Sequence, residues 1–294
     1  MSKNRDDKAL NSLRKLGYSE EERAKKIANI RVTLEDIKRE TEGVTYLECF
    51  RRSNLRRTII SIVPLSIQAL SGVVFAAGYS TYYIQLAGYS TEMSFRLQIA
   101  QQVCSLVGNV MSYFLIDRVG RRNVMLYGLG ILTVILMLTG GLAVVGSDTS
   151  NPNSGGGIKG TVALILIYCW WYNMTIGSAA YTILAEVSTS RLRIKTIAIG
   201  LALQNALYTM WSFVLPYLFN PDQANLGAKV SFIFGGLSVI CLVYLWFYQP
   251  ETGGRTYAEL DEMFVKEVPA RKFKVYQTDA EAMGVAVKEG DVRV

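Results

Sequence analysis

Three short clusters of charged side chains carry the chemistry that is easiest to read from this chain. Asp117-Arg118-Val119-Gly120-Arg121-Arg122 forms a tight turn in which glycine permits the bend and the arginines stay at headgroup level. Glu186 is followed by Arg191 and Arg193, and Pro250-Glu251-Thr252-Gly253-Gly254-Arg255-Thr256 closes the last apolar run. Carboxylates and guanidiniums facing each other form bidentate, charge-assisted pairs. Such pairs hold helix ends together in one conformation and release them in another. A basic turn between apolar runs also serves simply as a topological anchor. Catalysis fits poorly. The chain has no histidine, which removes the commonest general base and metal ligand together. Its four cysteines, Cys49, Cys104, Cys169 and Cys241, stand far apart with no paired spacing, so neither a disulfide framework nor a zinc site follows. With no metal constellation and no combination of nucleophile and base, an enzyme is not expected.

The elements that must position these clusters follow from hydropathy. Half of the 294 residues are apolar and mean hydropathy is +0.22, while the charged residues crowd into both ends and a few short clusters. A bilayer imposes that segregation. A helix crossing the roughly 30 Å hydrocarbon core needs about 20 mostly apolar residues, because each backbone group must bond within its own segment. Six runs qualify, at residues 58–86, 97–116, 124–145, 161–185, 196–219 and 230–249. The connections 117–122 and 191–195 are short and basic, whereas 147–160 and 220–228 are nearly neutral. Basic loops stay cytoplasmic, which places Arg51, Arg52, Arg56 and Arg57 inside as well. An even number of spans returns the C-terminus to the same side. The net charge of +7 is then topological, and no nucleic-acid partner is implied.

Residues 19–43 read as a helix outside the membrane, with Ser19 as N-cap, Glu20, Glu21 and Glu22 in the first turn and Gly43 at the exit. Ile27, Ile30, Leu34 and Ile37 give it one apolar stripe, expected to dock on a neighbour. The tail after Phe264 has no clear periodicity, so disorder is expected there. The first residues lack the apolar core of a secretory signal. The expected fold class is an all-α membrane protein with six transmembrane helices. Its parts are a cytoplasmic helical loop over 1–57, a six-helix bundle over 58–250 and a cytoplasmic tail over 251–294.

Taken together, D-R-x-G-R-R, the spacing of seven between Glu186 and Arg193, and P-E-T-x-G-R-T resemble the sugar porter family of the major facilitator superfamily. The likeness runs from about Leu34 to Phe264. Thr45-Tyr46-Leu47-Glu48-Cys49-Phe50 resembles the central cytoplasmic loop of fungal members, nearest to the α-glucoside (maltose-type) permeases. The resemblance implies a twelve-helix, proton-coupled carrier built from inverted three-helix repeats, of which this chain holds helices seven to twelve.

Gln68-Ala69-Leu70-Ser71-Gly72 resembles the family's Q-Q-x-S-G signature, whose glutamines hydrogen-bond sugar hydroxyls. Ala69 replaces the second glutamine, and Val74 stands where many hexose carriers have asparagine, which suits a larger or differently held sugar. Gly177-Ser178-Ala179-Ala180-Tyr181 aligns with G-P-x-P-W without its prolines or tryptophan, and Asn205 matches the family's N-W pair, with Ala206 for tryptophan. Gln68, Tyr181 and Asn205 are therefore the expected substrate residues, with helix-to-helix hydrogen bonding the alternative for the two amides and packing the alternative for Tyr181 and Tyr79. Tyr79 is the expected outer gate, and Asp117, Arg118, Arg121, Arg122, Glu186, Arg193 and Glu251 form the expected cytoplasmic latch. The partners implied are an α-glucoside, the bilayer of a plasma membrane and an N-terminal six-helix half, with no cofactor beyond a proton gradient. A truncated inactive fragment and a sugar sensor that does not transport are the alternatives. The sequon Asn173-Met174-Thr175 lies inside a predicted span, beyond the reach of glycosylation.

Overall fold

A computed structural model describes residues 6–15, 17–41, 43–86, 89–146, 154–189, 191–220 and 222–278. Among them every regular element is helical. Two polar helices come first, α1 (Asp6–Lys15) packed on α2 (Glu20–Thr41). Ser19 and Glu22 exchange hydrogen bonds across the start of α2: the Ser19 amide donates to Glu22 Oε2 at 3.0 Å and the Glu22 amide to Ser19 Oγ at 3.4 Å. This capping box satisfies donors that the first turn otherwise leaves open. On the apolar stripe Ile27 is buried and Ile30 exposed, while the side chains of Leu34 and Ile37 lie outside the described residues.

Among the described residues five stretches are long and apolar enough to cross a membrane. They are α5 (Thr91–Val119), most of α6 (Arg121–Gly146), the continuous pair α7 (Ser154–Tyr172) and α8 (Ser178–Val187), α9 (Arg193–Phe219), and α10 (Ser231–Tyr248) with the turn before it. The first run is different. It divides into α3 (Arg52–Leu70), a π-helical turn at Val74–Gly78 and α4 (Ser80–Leu86). Gly72, at φ +92°, makes the break. Hydropathy records the solvent that side chains prefer, and it is blind to a change of backbone direction.

The bundle packs around α6, whose Met125, Leu129, Leu132 and Leu136 recur at helical spacing and are almost fully buried. α6 lies against α7 and α10, α3 against α8 and α9, and α5 against α7 and the π-helical turn at Asn173–Gly177. Tight packing and interhelical hydrogen bonds hold such helices together, since lipid tails are as apolar as leucine.

The chain after Phe264 departs from expectation. A short helix, α11 (Tyr257–Val265), and a 3₁₀ turn at Ala270–Lys272 bring Leu260, Met263, Val268 and Phe273 into a small core of their own. Arg255 donates to the Phe273 carbonyl at 3.3 Å and to the Tyr276 carbonyl at 2.7 Å. Residues drawn from a helix, a turn and a 3₁₀ segment share no single period, which is why the pattern looked featureless. Residues 279–294 lie outside the described part.

Candidate functional site

Two interrupted helices face each other in the middle of the bundle, and buried side chains satisfy the carbonyls that each interruption frees. At the first break Tyr168 donates its hydroxyl to the Ser71 carbonyl at 2.7 Å, and Gln101 Nε2 donates to the Ala76 carbonyl at 3.0 Å. At the second, the π-helical turn between α7 and α8, Gln68 Nε2 donates to the carbonyls of Ile176 at 3.1 Å and Gly177 at 2.9 Å. Irregular backbone at this depth persists only where protein groups or water re-satisfy it. Gln68 also accepts from Gln204 Nε2 at 2.5 Å, and Tyr181 donates to Gln204 Oε1 at 3.4 Å.

A cavity of about 800 Å³ opens beside this network. Gln68, Asn109, Tyr181 and Tyr208 line it in the interior, and it runs on to Asp117 and Arg121. Uncharged amides, hydroxyls and aromatic faces dominate the lining. That mixture suits a neutral, hydroxyl-rich ligand, since each amide pairs a donor with an acceptor and aromatic rings cover apolar ring faces.

Two of the three expected binding residues meet here. Asn205 does not: it is exposed, outside the lining, and donates to the Leu201 carbonyl of its own helix at 2.9 Å. Its neighbour Gln204, 2% exposed, makes the tie to Gln68 instead. Thr196, Gly200, Gln204, Trp211 and Leu215 mark the buried face of α9, and one residue further turns a side chain about 100° away. The helix phase carried the signal for Gln204.

At the end of the bundle that bears the Asp117 turn, the three charged clusters converge. Arg121 Nε donates to Glu186 Oε1 at 3.1 Å, Arg121 Nη2 lies 3.0 Å from the same oxygen and 3.1 Å from Asp117 Oδ1, and Thr252 donates to Glu186 Oε2 at 2.7 Å. Glu251 accepts from the backbone amides of Arg121 at 2.9 Å and Arg122 at 3.2 Å, so its carboxylate caps the start of α6. Gly120 makes this possible. Its φ is +91°, and a Cβ there would stand 2.5 Å from Glu251 Oε2.

Arg122 donates to the Trp246 carbonyl at 2.9 Å, and Arg193 stacks on Tyr257 at 4.4 Å. Arg118 is exposed and makes no ion pair among the described residues. Arg57, read from the sequence only as one of the basic residues that set topology, donates its guanidinium to the Val187 carbonyl, pairs with Asp261 and lies over Phe264. Burial pushes its pKa below the ordinary arginine value, and Asp261 opposes that shift. The segment 45–50 docks beside this end: Cys49 is fully buried, and Arg191 reaches Glu48 at 3.5 Å.

Tyr79 belongs to the opposite end. It donates to the Ser212 carbonyl at 2.8 Å and stacks on Phe219 at 6.0 Å, tying the broken helix to α9.

Comparison with known proteins supplies the remaining context. A family profile described as "Sugar (and other) transporter" matches residues 1–264. General alpha-glucoside permease of Saccharomyces cerevisiae is 35% identical over 229 residues, covering 78% of this chain and 36% of the permease. Maltose permease MAL31 of the same organism is 32% identical over 251 residues, covering 85% and 40%. The chain thus spans less than half the length of these relatives. Among solved structures, the major facilitator proton:xylose symporter XylE bound to 6-bromo-6-deoxy-D-glucose superposes with a TM-score of 0.62 at 21% identity. That match covers 90% of this chain and 53% of XylE.

Proposed function

Since the chain belongs to the sugar transporter family of the major facilitator superfamily, a family of multi-pass transporters and not of enzymes, we propose that it supplies helices seven to twelve of a proton-coupled α-glucoside carrier. The carrier works by alternating access. The observation that supports this most directly is the cavity between the two interrupted helices, with its amide and tyrosine lining and its run to the Arg121–Glu186 pair. Carriers of this kind bind substrate near the midplane, at broken helices in corresponding positions of two repeats. Here the interruptions fall in the first helix of each three-helix group.

In this reading residues 1–57 are the cytoplasmic helical loop, 58–250 the six-span bundle with α3 and α4 together as its first span, and 251–294 the cytoplasmic tail. Both termini face the cytoplasm and the bilayer is the plasma membrane. Arg121, Glu186 and Glu251, with Asp117, Arg118, Arg122 and Arg193 around them, latch the cytoplasmic end. Tyr79 gates the outer one. Gln68 and Tyr181 hold one side of the sugar, Gln204, buried behind the lining, positions both of them, and Asn205 faces the side open to the other half.

A half-site has half the contacts. A few hydrogen bonds, each netting about 0.5–1.5 kcal/mol, scarcely offset the ligand's lost freedom of roughly 4 kcal/mol or more. The isolated chain in liposomes should therefore show no maltose counterflow, and joining a matching N-terminal six-helix half should restore it. Gln68→Ala should then weaken that flux. Robust counterflow by the chain alone would overturn the half-carrier reading.

A further inference from the structure

Another cavity, of about 710 Å³, opens where the start of α3, the turn between α8 and α9 and the end of α11 meet. Its charged lining sets four arginines, Arg52, Arg56, Arg57 and Arg191, against two carboxylates, Asp261 and Glu267. Arg57 is spent on Asp261 and the Val187 carbonyl. The other three are less fully matched. Arg56 donates to the Val268 carbonyl at 2.6 Å, which satisfies its hydrogens without supplying charge. Arg191 reaches Glu48 at 3.5 Å with its side chain more than half exposed, and Arg52 is exposed and makes no ion pair among the described residues.

Arg52 and Arg56 stand one helical turn apart, where like charges repel, and α3 has no acidic residue in its first turn to offset them. An anion between the guanidiniums relieves that repulsion. A phosphate monoester, with three acceptor oxygens and more than one negative charge, suits planar guanidinium forks better than a single carboxylate does. The apolar side chains around the cavity indicate what carries the phosphate. Val265, in the lining, is 81% exposed. Leu47, Phe50 and Leu55, on either side of Arg52 in the chain, are exposed as well, while fully buried Cys49 fixes their segment in place. The uncharged stretch of α3 begins at Thr58, so the arginines lie at headgroup level where the helix enters hydrocarbon. Basic pockets at that depth suit phosphorylated lipid headgroups.

We propose that this cavity binds the phosphate-monoester headgroup of an anionic lipid, with Arg52, Arg56 and Arg191 on the phosphate and Leu55 and Val265 against the acyl chains. The site rests on the bundle's place in a bilayer and not on the solute that is carried.

Native mass spectrometry of the full chain in detergent, with phosphatidylinositol bisphosphate, phosphatidylserine and phosphatidylcholine as probes, tests it. Phosphatidylinositol bisphosphate should bind about tenfold more tightly than phosphatidylserine, and phosphatidylcholine more weakly than either. Arg52→Gln and Arg191→Gln should each weaken the bisphosphate lipid about fivefold, and Arg52→Gln with Arg56→Gln about 25-fold. Arg14→Gln with Lys15→Gln removes as much charge from exposed positions on α1 and should change nothing. A thermal midpoint accompanies each variant. Since the Arg52 side chain is exposed and unpaired, Arg52→Gln still reports if loss of Arg56 unfolds the chain. Equal loss in the α1 variant, unchanged binding in Arg52→Gln, or equal affinity for phosphatidylserine and the bisphosphate lipid overturns the site. Inositol trisphosphate and inorganic phosphate are the water-soluble arms. Either one binding as tightly as the lipid overturns the lipid assignment in favour of a free phosphate.

Discussion

Gln68 stands where two interrupted helices meet, and its amide has two backbone carbonyls to satisfy before it can serve a ligand. A buried carbonyl left unpaired costs about 1–3 kcal/mol, so Gln68→Ala should lower the thermal midpoint of the sugar-free protein as well as weakening sugar binding. A midpoint equal to wild type would show that the glutamine has no structural part. Gly120 raises a similar question at the charged end. Its φ of +91° lies where L side chains rarely sit, and the missing Cβ leaves room for the Glu251 carboxylate that caps α6. Gly120→Ala should cost about 1–3 kcal/mol in backbone strain alone. Thermal unfolding in detergent measures it, and a loss well below that range would mean the turn relaxes without releasing Glu251. The charged clusters were legible as partners because all three fall on one end of the bundle and carry opposite signs. That Gln68 could tie helix to helix was legible from an amide in an apolar run, but its particular acceptors were not, since they are irregular carbonyls that leave no mark on the residue pattern.

Elements announced themselves where a side chain or a solvent preference makes them. Ser19 and Glu22 stand three apart before a charged helix, and the structure closes them into the capping box that spacing implies. Hydrogen bonds from Ser19 lower the pKa of Glu22. A carboxylate depressed in the folded state stabilises it above the ordinary carboxylate range, and that help is lost as pH falls through the depressed value. A peptide of residues 17–43 should therefore lose helicity on acidification, followed by circular dichroism, and Glu22→Gln should remove part of that dependence. Identical acid titrations of the two peptides would count against the box. The apolar runs were legible for a different reason, and several of their edges shifted outward for the same one. The run read at 97–116 became α5, Thr91–Val119, and that at 196–219 became α9, Arg193–Phe219, because helical hydrogen bonding continues into the headgroup zone where side chains turn polar. The break at Ser71 and Gly72 was hidden, as was the small core around Phe273, because each depends on dihedral angles or on contacts between unlike segments.

At the scale of the molecule the question is how many times the chain crosses the bilayer. Among the described residues five stretches qualify by length and hydropathy alone. The first run needs a further argument. α3 has 19 residues, but Arg52, Arg56 and Arg57 occupy its start, so the uncharged part, residues 58–70, rises only about 20 Å. That is short of the roughly 30 Å hydrocarbon core, and a crossing must be completed beyond the break by the π-helical turn and α4. Single cysteines in a background without Cys49, Cys104, Cys169 and Cys241 decide the matter. α6 has 26 residues, about 39 Å, so its ends emerge on opposite sides. Asn123→Cys lies at the basic end and should react with an impermeant maleimide only after permeabilisation, whereas Ser154→Cys, at the start of α7, should react in intact cells. Phe50→Cys and Glu92→Cys flank the broken segment, and both native side chains are exposed. If α3 and α4 together cross, Phe50→Cys should behave like Asn123→Cys, and Glu92→Cys like Ser154→Cys. Asn123→Cys and Ser154→Cys reacting from one side would sink the α6 crossing itself. Glu92→Cys protected together with Phe50→Cys would instead make the broken segment re-entrant. It would then dip in and return on the basic side, and α5, flanked by Glu92 and the Asp117 turn, could not cross.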